Sequence, residues 1–267
     1  MERKMNKLKM NSLKGWADYF RRNAKQQRVI NWEIGAGISK QELEIATSLK
    51  GWQLGETSDG SHLMAAARNY AARVGDPDFV GVIHLFILEE QRHGFNLGRF
   101  LDLAGIERAR SDWGDTLFRM VRYSIPSMEV WVTPVVMVET HAIIYFDAIR
   151  RASNSIVLRQ ICEQILADEV VHVRFQCQRL AMLHRSRATW LRTTTMIVHR
   201  IMFAGITLAV WIGHRKALKA GGYDLRNFWQ SAWKKMQHAW RMMTPERYQS
   251  ETVAAPVESL NVISRAV

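Results

Sequence analysis

The sequence predicts an all-α protein. Only five prolines occur in 267 residues, and long stretches are rich in Ala, Leu, Met, Arg, Glu and Gln with few β-branched alternations, a composition that favours helix over sheet. With 48% hydrophobic residues, the chain can bury one substantial core and needs no second domain.

The elements follow from periodicity and punctuation. Residues 1 to 28 alternate basic residues with Met5, Leu8, Leu13, Trp16 and Phe20 near the helical period, so this basic extension, taken to residue 48, reads as an amphipathic helix. It lacks the uninterrupted apolar run of a secretory signal, which leaves a docked surface helix, a membrane-surface helix or a disordered arm. A core domain is expected over residues 49 to 185. Its first helix runs from about Leu49 to Arg73, the turn Gly75-Asp76-Pro77-Asp78 reverses it, and the second returns to about Ala104. A shorter segment from Trp113 to Tyr123 leads to Ile125-Pro126-Ser127, where the proline starts a third helix ending near Arg151. Ala152-Ser153-Asn154-Ser155 turns the chain into a fourth helix, Ile156 to Leu183. The pattern is two antiparallel pairs joined by a longer crossover. Residues 186 to 243 form a further extension, with an apolar helix from Thr193 to Trp211 and another from Phe228 to Met243 carrying Trp229, Trp233, Met236 and Trp240 on one face. The uncharged run Ile201 to Gly213 is too short to span a bilayer, so the first of these helices either covers the core or lies on a membrane surface. Residues 244 to 267 read as a loosely held tail.

Charge is unevenly placed within a net +12. Residues 1 to 28 carry +7, residues 185 to 241 carry +10, and residues 29 to 184 carry about −4. An acidic middle suits a carboxylate-lined cation site. The basic flanks leave three readings: an anionic lipid surface with Trp229, Trp233 and Trp240 as anchors, RNA, for which no motif is present, or a solvated surface with no partner. Cys162 and Cys177 are fifteen residues apart on one expected helix, too far to bridge, and read as buried thiols of a cytoplasmic protein, with the inner membrane face as a peripheral location.

One phrase occurs twice: Glu89-Glu90-Gln91-Arg92-His93 and Asp168-Glu169-Val170-Val171-His172. Residues three apart on a helix lie about 60° from each other, so Glu90 with His93, and Glu169 with His172, each offer a carboxylate and an imidazole to one neighbour. Each pair is half of a metal site. A complete di-metal site also needs a lone carboxylate from each of two further helices. Glu139 sits about as far before the 152–155 turn as Glu169 sits after it, so antiparallel helices level them. For the first helix the candidate is Glu56, although straight helices would leave it about 10 Å from the level of Glu90. Asp59 and His62 are the alternatives, and Gly55 offers room for close helix approach.

The acids ahead of each motif have two readings. Glu89 is four residues from His93 and Asp168 four from His172, so each can hold the imidazole nitrogen that does not face the metal, or else be solvated and pair with Arg92 and Arg174. Glu139 lies among Val135, Val136, Met137 and Val138, and Glu90 follows the apolar run Ile83 to Leu88. Carboxylates in such company are costly without a cation or a partner. His141 is turned away from Glu139, and His84 and Tyr145 read as ordinary surface or packing residues.

The order lone Glu, Glu-x-x-His, lone Glu, Glu-x-x-His resembles the ferritin-like di-iron carboxylate superfamily, which includes rubrerythrins, bacterioferritins, desaturases and di-iron oxygenases. The resemblance covers residues 49 to 185 and implies a ferritin-like four-helix bundle in which Glu56, Glu90, His93, Glu139, Glu169 and His172 bind two Fe ions, with Mn or a mixed Mn/Fe pair as substitutes. It implies an oxygen-activating oxidase or oxygenase acting on a small molecule or lipid. The other readings are an iron- or oxidant-scavenging protein and an RNA-modifying hydroxylase. No Cys-x-x-Cys pair is present, so no rubredoxin-type centre is encoded and an external electron donor is expected. A homodimer is one arrangement such a chain could take.

Overall fold

The computed structural model describes residues 12–58, 60–123 and 127–248, with side chains left out for 121–123. Every regular element among them is helical. The α-helices are α1 (Leu13–Lys25), α2 (Lys40–Glu56), α3 (Ser61–Val74), α4 (Asp78–Leu103), α5 (Trp113–Tyr123), α6 (Met128–Ala152), α7 (Ile156–His184), α8 (Thr189–Ala220) and α9 (Leu225–Met242).

The expected first helix is two helices. α2 begins nine residues before Leu49, so the proposed boundary at residue 48 falls inside it, and it ends at Glu56, after which Gly60 adopts φ 72° and α3 starts. A side chain on Gly60 would meet Ile87, so the break is held by contact as well as by backbone conformation. The start of α2 is fixed by a capping box, in which Ser39 Oγ accepts from Gln41 N and Glu42 accepts from Ser39 N at 2.9 Å. Glu42 also accepts from Ser153 Oγ and from the Asn154 and Ser155 amides, which ties α2 to the turn between α6 and α7. Burial opposes ionisation of Glu42, but these donors hold its carboxyl down to about 2.

Helices α6 and α7 form the most extensive pairing, and α4 packs against α1, α2, α3 and α7. The basic N-terminal segment therefore belongs to the core from Leu13 onward: Trp16 and Phe20 are buried, and Trp16 Nε1 donates to Gln178 on α7. Residues 1–11, 59, 124–126 and 249–267, including Asp59, Pro126 and most of the expected tail, lie outside the described residues.

Two helices among the described residues are long and apolar enough to cross a membrane. α6 is a core helix, with 83% of its apolar window buried, whereas α8 has 22% of its window buried. α8 extends the expected Thr193 to Trp211 core by four residues at its start and nine at its end, and it lies along α6, where Thr207 Oγ1 meets His141 Nε2 at 3.0 Å and Gly221 abuts Ala148. The tryptophan face of α9 is turned into the protein: Trp233 and Trp240 pack on Phe203 with ring centroids 5.7 and 5.9 Å away. Trp240 is buried and Trp233 half-buried, and both contribute to packing within the protein.

Candidate metal centre

Glu56, Glu90, His93, Glu139, Glu169 and His172 come from four helices and converge on one interior point. Ligand atoms of Glu56, Glu90, His93 and Glu169 lie within 4.8 Å of one another, and so do those of Glu90, Glu139 and His172. Glu90 belongs to both sets. The end of α2 explains how Glu56 reaches this level, because the chain need not continue straight toward the Gly75 turn. The glycine that admits it is Gly94 rather than Gly55: a Cβ on Gly94 would stand 2.9 Å from the Glu56 carbonyl, while one on Gly55 would meet nothing. His62 and His84 are exposed, and His141 is a satisfied core histidine with Nδ1 2.7 Å from Met137 O.

Both imidazoles are oriented the same way. His172 Nδ1 faces Glu90 Oε1 at 2.6 Å and Glu169 Oε2 at 3.9 Å, and His93 Nδ1 faces Glu169 Oε1 at 3.6 Å and Glu56 Oε2 at 4.0 Å. The opposite nitrogens meet the flanking acids, with His172 Nε2 3.1 Å from Glu89 Oε1 and His93 Nε2 3.0 Å from Asp168 Oδ2. Sequence spacing pairs each acid with the histidine of its own helix; the structure crosses them. The reason is antiparallel packing: moving four residues back along α4 goes four residues forward along α7, so Glu89 stands level with His172 and Asp168 with His93.

A carboxylate on Nε2 keeps the proton there and leaves the Nδ1 lone pair aimed at the cluster. Asp168 is itself held by Asn23 Nδ2 and Gln164 Nε2, each at 2.8 Å. Phe20 and Phe86 flank the His172 ring at centroid distances of 6.3 and 5.0 Å. Asn23 and Phe20 lie on α1, a segment whose spacing fits a membrane helix equally well, so only the fold reveals this role. Gln164 had a legible signal in its position one turn before Asp168.

The electrostatics describe a cluster short of positive charge. Burial, followed by the charge of Glu90, pushes the carboxyls of Glu56, Glu139 and Glu169 well above their usual range. Burial is the largest single influence on Glu90 and opposes ionisation, but His172, His93 and a hydrogen bond with Glu56 together outweigh it and bring that group down to about 2. His172 is raised above its ordinary value because Glu90 and Glu89 oppose the effect of burial. Without a cation, these groups hold protons instead. Glu139 Oε1 and Oε2, Glu169 Oε2 and His93 Nδ1 are buried and make no hydrogen bond, and His172 Nδ1 has the Glu90 carboxylate beside it. Two divalent cations would supply four positive charges for four carboxylates and give these atoms partners, so the residues fit the group the sequence implies. Carboxylate oxygen with imidazole nitrogen suits iron or manganese.

A cavity of about 90 Å³ borders the cluster, with Glu56, Glu90, Glu139 and Glu169 on its wall among Phe86, Trp131 and Val135. Beside it lies a larger groove of about 410 Å³ between α2, α5, α6 and α8. Trp52, Gly55, Phe118 and Val138 line both. Tyr145 is buried next to this region, stacked on Trp52 at 4.6 Å and 3.0 Å from Ser48 Oγ. No protein family, curated protein or solved structure matches this chain.

Proposed function

We propose that this protein is a ferritin-like di-iron oxidoreductase that activates dioxygen to oxidise an organic substrate. The observation that supports it is the set of six convergent oxygen and nitrogen donors, four of them buried and several atoms without any partner, divided into two groups that share Glu90. Two ferrous ions held by such donors with open positions supply dioxygen reduction and oxidising power that side chains lack. The chain's own part is placement. Glu56, His93 and Glu169 would hold one ion, Glu139 and His172 the other, with Glu90 between them. Glu89 and Asp168 hold the proton on Nε2 of His172 and His93, and Phe20 and Phe86 exclude water from the His172 side. The bordering cavity gives an organic substrate access to the donors. With no Cys-x-x-Cys motif in the sequence, electrons come from a separate reductase or from the substrate.

The test is anaerobic reconstitution with ferrous iron, followed by metal analysis and exposure to oxygen. Two irons per chain and an optical change on oxygenation are expected, with both lost in Glu90→Ala and Glu169→Ala. No iron retained by the wild-type protein overturns the reading, and many irons per chain would replace it with storage.

A further inference from the structure

We infer that the groove between α5, α6 and α8 receives the hydrocarbon chain of a bilayer lipid, and that α8 lies in the membrane surface so that this chain passes directly toward the carboxylate cluster. The inference rests on the di-metal reading of that cluster and names the class of substrate it would serve.

The groove is apolar where a substrate would touch it. Leu117, Phe118, Pro134, Val138, Met202 and Ile206 form walls from three helices. Most ionisable atoms along it are engaged elsewhere: Asp112 Oδ1 accepts from the Gly114 and Asp115 amides, Asp115 Oδ2 pairs with Arg119 at 2.6 Å, and His214 Nδ1 lies 2.9 Å from Ser48 Oγ. Asp115 Oδ1 and Trp52 Nε1 are buried on the lining without a partner, against a wall that is otherwise hydrocarbon, on which a flexible apolar chain would bury its surface. At its inner end the groove shares Val138, the residue before Glu139, with the cavity beside the cluster.

At its outer end the protein presents hydrocarbon to solvent. Trp190, Ile197, Ile201, Leu208 and Ile212 on α8 are all exposed, Trp190 by 70% and Ile201 by 71%. Their spacing of seven, four, seven and four residues places them in one stripe along the helix. On α5, Trp113, Leu117 and Met120 repeat this arrangement over two turns and are exposed as well. Contiguous exposed apolar surface of this extent marks a contact with another phase or molecule.

Charge and geometry select the bilayer as the occupant. α8 carries five basic residues, Arg192, Arg200, Arg215, Lys216 and Lys219, and no acidic one, which suits an anionic lipid surface. It cannot cross the membrane alone, because its opposite face is packed on α6 through Thr207 and Gly221. A helix attached along one side with apolar residues along the other lies in the interface plane.

The experiment uses the full chain, vesicles of phosphatidylcholine and phosphatidylglycerol, and the fluorescent C18 fatty acid cis-parinaric acid. Flotation with the vesicles is expected for the wild type and lost in the double variant Ile201→Glu, Leu208→Glu. Both positions are exposed, so the fold survives. Parinaric acid is expected to bind the wild type and to bind Gly205→Phe at least tenfold more weakly. Gly205 lines the groove with open space at its Cβ position, so the larger side chain fills the groove rather than breaking the core. Iron content is measured in parallel and should be the same in all three proteins. Failure of the wild type to float, binding of tRNA in place of vesicles, a dimer that buries the stripe, or equal affinity in Gly205→Phe overturns the inference. Those results would leave the iron count intact, whereas loss of iron binding from the wild type tells against the metal reading instead.

Discussion

Helices α6 and α8 have similar apolar character and opposite fates. Their mean hydropathies over the best window are 1.3 and 1.7, yet 83% of that window is buried in α6 and 22% in α8. The more apolar helix is the more exposed. α6 is enclosed by α7, α8 and α9, and that enclosure lets it carry Glu139, a carboxylate 5% exposed, into the centre of the molecule. α8 has partners on one side only and carries no acid at all. Hydropathy states how much a helix gains from leaving water, and packing decides where it can do so.

The same substitution in the two helices tests that contrast most severely. Ile144 on α6 is 0% exposed and Ile201 on α8 is 71% exposed. Ile144→Ala should cost about 2–5 kcal/mol in urea unfolding, and Ile201→Ala less than about 0.5 kcal/mol without lipid. Equal losses would show that the outer face of α8 is covered in solution.

Adding metal should act on the interior alone. Ferrous iron or Mn(II) at about a hundred times its dissociation constant should stabilise the protein by about 2.7 kcal/mol, read as a rise in Tm, and a chelator should reverse it. Membrane flotation through α8 should not change. A smaller effect is expected one step away from the donors: Asp168→Asn should weaken iron binding by about 10- to 100-fold while leaving two sites per chain. An unchanged affinity would mean that His93 is oriented by its surroundings without this acid.

The smallest effect concerns the end of α6. Glu42 is held down to about 2 from an ordinary 4.5, so its contribution is present above about pH 4.5 and is lost as pH falls toward 2. Glu42→Gln should therefore cost about 1–1.5 kcal/mol at pH 7, with the gap from wild type closing in acid. A gap that persists at pH 2 would assign the loss to packing rather than to the carboxylate's donors.

Much of this architecture is legible from residue spacing, and the limits have physical causes. The punctuation around Gly75 and residues 152–155 marks the hairpins because Gly, Pro, Ser and Asn encode turns locally. Glu139 can be levelled with Glu169 because α6 and α7 are uninterrupted. Glu56 resists the same arithmetic, since the α2–α3 break depends on Gly60 meeting Ile87, a contact between distant segments. The partners of Glu89 and Asp168 are hidden for a related reason: helical spacing describes neighbours on one helix, and these acids act across two. α1 and α9 show that amphipathic spacing predicts an apolar face without naming what covers it. Trp16 and Trp240 turn that face inward, and Ile201 turns it outward.

On the di-iron reading proposed above, the crossed acids would also make the centre a proofreader of its own assembly. A fragment ending after α4 would possess His93 without Asp168 to set its tautomer, and one beginning at α6 would possess His172 without Glu89. Neither half can present a correctly oriented imidazole until the other has docked. Tight iron capture would then come after the helices have met, and misfolded or truncated chains would have little means of holding a reactive metal.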